Sequence, residues 1–169
     1  MTRTKLSPAL LLLATLPFTT ADAQRSAPTA RDTQTIVFVC EHGTVKSVLA
    51  MAWFKKMAQS QHLPYKAVSR GTAPEAAVPR MIRDSLRRDG ITLGPFTPTK
   101  FSIQDVLGAT MVVSFDQPVV AEIVAGRVPT AAWNDIPAVS QNYGAARDAI
   151  KLRVAILVDS LAKAAAKRR

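Results

Sequence analysis

Residues 36–56, IVFVCEHGTVKSVLAMAWFKK, decide how this chain folds. The apolar, β-branched run Ile36–Val39 reads as a buried strand that stops at Cys40. Lys46 and Ser47 follow six and seven positions later, and a helical pattern opens there with Leu49, Ala52, Trp53 and Met57 on one side. A strand that delivers a cysteine into a tight loop opening a helix is a phosphate-binding layout. The loop N–H groups and the helix N-terminus converge on an anion, and the same partial positive charge favours a thiolate. A cysteine at a strand end is also commonly a small buried hydrophobe, so the flanking residues carry the chemical reading. Cys40 is the single cysteine of the chain.

The rest of the sequence alternates in the same manner. Tyr65–Ser69 reads as a second strand closed by Gly71, and 74–89 as a helix with Val78, Ile82 and Leu86 four apart, stopped by Gly90. Pro79 falls inside that helix and moves its start later. A proline-rich loop over 94–99 and a short helix over 102–107 precede a third strand, 110–115. A helix over 118–125, a fourth strand over 130–133 and a last helix from Gly144 to about Ala166 complete the pattern. Strands separated by helices predict a single α/β domain: a four-stranded parallel sheet covered on both faces, with ligands beyond the carboxyl ends of its strands. Cys40, Ser69-Arg70-Gly71, Asp116 and Asn134-Asp135 fall at those ends.

The N-terminus reads as a secretory signal over 1–23: Arg3 and Lys5, an apolar core from Leu6 to Phe18, then Ala21-Asp22-Ala23. That core is shorter than the ~20 apolar residues a spanning helix needs, so the expectation is export after cleavage, to the periplasm or beyond, without stable membrane insertion. An uncleaved anchor is the alternative. Residues 24–34 form a polar leader and 35–169 the domain. The net charge of +10 raises nucleic-acid binding, but the basic residues are dispersed apart from Lys167-Arg168-Arg169. No zinc-finger spacing or aromatic RNA-binding signature accompanies them, so solvated helix faces that attract anionic substrates are the expectation. An exported chain with one cysteine has no internal disulfide.

With these pieces in place the chain resembles the low-molecular-weight protein tyrosine phosphatases and the arsenate reductases that share their fold. The resemblance rests on Cys40-Glu41-His42-Gly43-Thr44-Val45-Lys46-Ser47, on Ser69-Arg70-Gly71-Thr72, and on Asp89-Gly90-Ile91. It extends through Met111-Val112-Val113 to the segment Trp133–Pro137. It implies a phosphatase-type loop after the first strand, and hydrolysis of phosphomonoesters through a cysteinyl-phosphate, without metal or cofactor. By position, Cys40 is the nucleophile, and the backbone of Glu41, His42, Gly43, Thr44, Val45, Lys46 and Ser47 binds the phosphate oxygens. Ser47 is placed to donate its hydroxyl to the thiolate. Gly43 sits where the loop needs an unusual turn.

Two departures stand out. Lys46 replaces the family arginine, offering a point charge where a guanidinium offers a fork. The general acid is the second: Asp135 is the nearest match, although a strict register puts Ala138 at that position, with Asp116 as another candidate. His42 either contacts substrate or braces the loop, and Arg70 either supplies a guanidinium or lies in solvent. The implied partners are a phosphorylated protein or a small phosphomonoester or other oxyanion. Arsenate reduction with an external thiol and non-catalytic oxyanion binding are the alternatives. A sugar-phosphotransferase subunit with a similar Cys-x-x-Gly start is disfavoured by the signal sequence.

Overall fold

The computed structural model describes Met1 and residues 34–167. Apart from Met1 and Gln34, the signal sequence and polar leader expected from the sequence therefore lie outside the described residues. In chain order the elements are β1 (Gln34–Cys40), α1 (Lys46–Ser60), β2 (Tyr65–Gly71), α2 (Arg80–Arg88) and α3 (Ile103–Leu107). They continue with β3 (Met111–Ser114), α4 (Val119–Val124), β4 (Thr130–Ala132) and α5 (Tyr143–Ala166). The four strands are parallel, in the order β2-β1-β3-β4. Every sequential connection is a helical crossover, as parallel pairing demands.

Because β1 has a bonded neighbour on each side, its side chains alternate between two buried layers. Ile36, Phe38 and Cys40 enter a core shared with α1, α2 and α5, where Leu49, Phe54, Ile82, Leu86, Ile150 and Val154 are buried. Val37 and Val39 face the other way, onto a smaller cluster with Phe101, Val106, Val120 and Val124. Successive residues thus face opposite layers, and the continuous apolar run is explained by burial on both sides. Cys40 belongs to the larger core, at the rim facing α1.

Two boundaries differ from the sequence reading. The second helix begins at Arg80, six residues beyond Pro74. Pro79 is extended (φ −54°, ψ 140°), and the chain before it is stitched to the loop after β1. The N–H groups of Thr72, Ala73 and Glu75 donate to the carbonyls of Cys40, Glu41 and His42 at 3.1, 2.8 and 3.1 Å. With Pro79 extended, no helical turn can run through it, and the helix starts at the next residue. β2 runs two residues past Ser69 because Arg70 and Gly71 pair with Val39 and Cys40. Among the described residues no helix is long and apolar enough to cross a membrane, and no group of three His, Cys, Asp or Glu side chains could hold a metal ion.

Candidate active site

The loop 41–45 is held by backbone. Gly43 has φ +66°, a conformation that glycine adopts at no steric cost. It lies flat against Gly71: a Cβ on Gly71 would stand 2.8 Å from the Gly43 nitrogen, and one on Gly43 would stand 2.8 Å from the Gly71 nitrogen. Two strand ends, Cys40 and Gly71, are paired in register and fix the loop from below. α1 then starts with neither a side-chain cap nor an acidic residue in its first turn, so its N-terminal dipole faces the loop unopposed.

The nucleophile candidate is nearly enclosed, with Cys40 only 7% exposed. Its Sγ lies 3.0 Å from Ser47 Oγ. Ser47 Oγ lies 2.8 Å from Ser69 Oγ, and Ser69 also reaches the Gly43 carbonyl at 3.2 Å. Both serines are fully buried. A thiolate can only accept, so with Cys40 ionised the Ser47 hydroxyl donates to sulfur and the Ser69 hydroxyl supports it from behind. The sequence points to Ser69 through its Ser-x-Gly-Thr turn; the register that sets it beside Phe38 on β1 makes it part of the site.

The loop side chains divide into braces and rim. Thr44, fully buried, donates to Glu75 Oε2 at 2.8 Å. His42 stands between two carboxylates, 3.9 Å from Glu75 and 3.8 Å from Glu41, and is half-exposed. Glu41 points to solvent at the rim. Glu75 carries no local signature in the sequence, since its partner Thr44 is far away along the chain.

Lys46 does not extend into solvent. Its ammonium donates to Asp116 Oδ2 at 2.7 Å and to the Ile136 carbonyl at 3.0 Å, joining the first loop to those after β3 and β4. Arg70 turns away from the loop: its Nε donates to Asp105 at 2.7 Å and its guanidinium also reaches the Ser69 carbonyl. It supplies no guanidinium to the anion position.

Asp116 is another residue with positive φ, +53°, on a turn directly after β3. Its N–H donates to Asn134 Oδ1 at 3.2 Å, and its carbonyl accepts from the Gln117 amide at 2.8 Å. Gln117 is in turn held by the Thr72 hydroxyl at 2.7 Å. Asp135 is not brought into this group. Its carboxylate pairs with Arg153 of α5, a guanidinium that also stands over the Trp133 ring, and its side chain is 67% exposed. Trp133, locked edge-on against Phe115 at 5.4 Å, fixes where that segment leaves the sheet.

A cavity of about 410 Å³ opens over these residues. Cys40, Glu41, His42, Val45 and Lys46 form its floor and one wall; Phe115, Asp116 and Gln117 form the second, and Ala138, Val139 and Ser140 the third. The arrangement suits a tetrahedral anion: the sulfur of Cys40 and the ammonium of Lys46 line the cavity together, at the N-terminus of α1.

Comparison with known proteins agrees with this geometry. Residues 35–131 match the family model described as low molecular weight phosphotyrosine protein phosphatase. No curated protein matches the chain by sequence. Among solved structures, YfkJ from Bacillus subtilis superposes with a TM-score of 0.68 at 21% identity, over 78% of this chain and 96% of that one. The YwlE arginine phosphatase from Geobacillus stearothermophilus gives 0.66 at 18% identity, over 80% and 97%. A thioredoxin-dependent arsenate reductase from Corynebacterium glutamicum gives 0.63 at 17% identity, over 76% and 61%. At these identities the likeness is one of fold.

Proposed function

Since the chain belongs to the low molecular weight phosphotyrosine protein phosphatase family, we propose that it is a cysteine-dependent phosphomonoester hydrolase working through a cysteinyl-phosphate on Cys40. The observation that carries this reading is the 3.0 Å contact between Cys40 Sγ and Ser47 Oγ, at the loop that opens the N-terminus of α1. In the first half-reaction the thiolate attacks phosphorus and the ester oxygen departs. In the second, water attacks phosphorus and the sulfur leaves as thiolate. Lys46 and the α1 N-terminus offset the charge on the non-bridging oxygens. Substrates are phosphorylated proteins or small phosphomonoesters. The N-terminal pattern supports a site of action outside the cytoplasm, which cell fractionation of the native chain would test.

The experiment is turnover of nitrophenyl phosphate by wild type and by Cys40→Ser. Turnover in the first and none in the second supports a hydrolase; no turnover in either favours the alternative, an oxyanion-binding module. That alternative draws on one specific observation, the pairing of Lys46 with the Asp116 carboxylate at 2.7 Å. An arsenate reductase reading requires a thiol from outside the chain, because Cys40 has no second cysteine to pair with.

A further inference from the structure

We propose that Asp116 is the group that takes the proton from water when the cysteinyl-phosphate is hydrolysed, a role that rests on the hydrolase reading above. Three observations converge on it. Of the described residues lining the cavity only Glu41 and Asp116 carry a carboxylate; Glu41 is exposed at the rim beside His42. The third wall, where the family pattern leads one to seek an acid, offers Ala138, Val139 and Ser140, while Asp135 is held by Arg153 on α5. Asp116 also sits in a sparsely populated backbone conformation that its surroundings enforce, with Asn134 fixing its N–H and Gln117 its carbonyl. Residues kept in such conformations cluster at sites where direction matters.

The ion pair with Lys46 sets which half of the reaction Asp116 serves. The ammonium engages the carboxylate through Oδ2 at 2.7 Å and fixes its direction, which leaves Oδ1 to accept a proton. In the first half-reaction the S–P bond forms, the P–O bond breaks, and its electron pair leaves on the ester oxygen. A weakly basic leaving group departs as the anion and takes its proton from solvent. In the second half the water oxygen bonds to phosphorus, the S–P electron pair returns to Cys40, and the water proton moves to Asp116, which later releases it to solvent. Lys46 has three N–H donors, of which two are used, by Asp116 and Ile136. The third is free to meet the anion.

The test is rapid-mixing kinetics with excess nitrophenyl phosphate on wild type and Asp116→Asn, with intact-protein mass spectrometry after quenching. Asparagine tolerates the positive φ and keeps the turn. The expected result is a burst of nitrophenolate equal to the enzyme present, followed by steady turnover slowed ~10²–10⁴-fold, with phosphorylated Cys40 accumulating. In the wild type, phosphoenzyme hydrolysis should slow in deuterium oxide, because a proton moves in that step. A variant that slows with no burst, a variant that turns over like wild type, or a wild-type hydrolysis step without isotope effect would overturn the assignment. A wild type that neither turns over nor forms a phosphoenzyme would overturn the hydrolase reading with it.

Discussion

Lys46 Nζ and Asp116 Oδ2 stand 2.7 Å apart, although seventy positions separate the two residues in the chain. The pair spans the floor and one wall of the cavity, and the Ile136 carbonyl completes the ammonium's coordination at 3.0 Å. One cation thus ties together three loops that come from three different strands.

Replacing that cation tests the site from its charged side. Lys46→Met removes the only ammonium or guanidinium among the described residues lining the cavity, and phosphate should then no longer protect Cys40 from iodoacetate. Losing one oriented donor typically costs ~10²–10³ in rate, and turnover of aryl phosphates should fall by about that much. Lys46→Arg should raise turnover instead, because a guanidinium spans two oxygens. A Met variant protected by phosphate as well as wild type would remove Lys46 from the site.

The buried serine pair gives a graded prediction. Hydrogen bonds to charged groups contribute ~1.5–3 kcal/mol, so Ser47→Ala should slow alkylation of Cys40 and turnover by roughly ten- to a hundredfold. Ser69→Ala, one step further from sulfur, should cost less, since Ser47 keeps its contact with Cys40. Alkylation rates at fixed pH, measured on both variants, check the order.

Gly71→Ala should distort the loop although it lies on another strand. The new methyl would meet the Gly43 nitrogen and the His42 carbonyl carbon, each at 2.8 Å, and both are backbone atoms that cannot rotate aside. Overpacking of this kind costs ~1–3 kcal/mol. A lowered Tm together with lost turnover is expected; Gly94→Ala, where a Cβ would meet nothing within 4 Å, serves as the comparison.

Asp135→Asn separates the two carboxylates that the sequence offers as acid. Its pair with Arg153 is exposed, so stability should change by less than about 1 kcal/mol. Aryl and alkyl phosphates should be affected by the same small factor. A loss confined to alkyl esters would return Asp135 to the chemistry.

Much of this was legible in the sequence, and the division has a physical cause. β1, Cys40, the glycine-bearing loop and the start of α1 follow from a buried run, a spacing and a helical period, all local signals. Ser69 was within reach because a Ser-x-Gly-Thr turn marks it. α2 starts later than the periodicity from Pro74 predicts because Pro79 is extended, and the residues before it bond through Thr72, Ala73 and Glu75 to the loop after β1, contacts that no local pattern announces. The direction of Arg70 depends on Asp105, and that of Lys46 on Asp116; in both pairs the partner lies on a different crossover. Asp135 is the better match by motif, but an arginine on the last helix decides where its carboxylate points.

The place of Cys40 at the end of a doubly bonded strand has a consequence for how the protein comes apart. β1 pairs over its length with β2 and over four positions with β3, so the nucleophile belongs to the segment with the most sheet partners on either side. Local opening proceeds from weakly held edges, here β4 and the helices beside it, long before it reaches the central strand. Amide exchange at Phe38 and Val39 should be among the slowest in the chain. The anion loop is therefore ready-made before any ligand arrives, and binding should proceed without an ordering step.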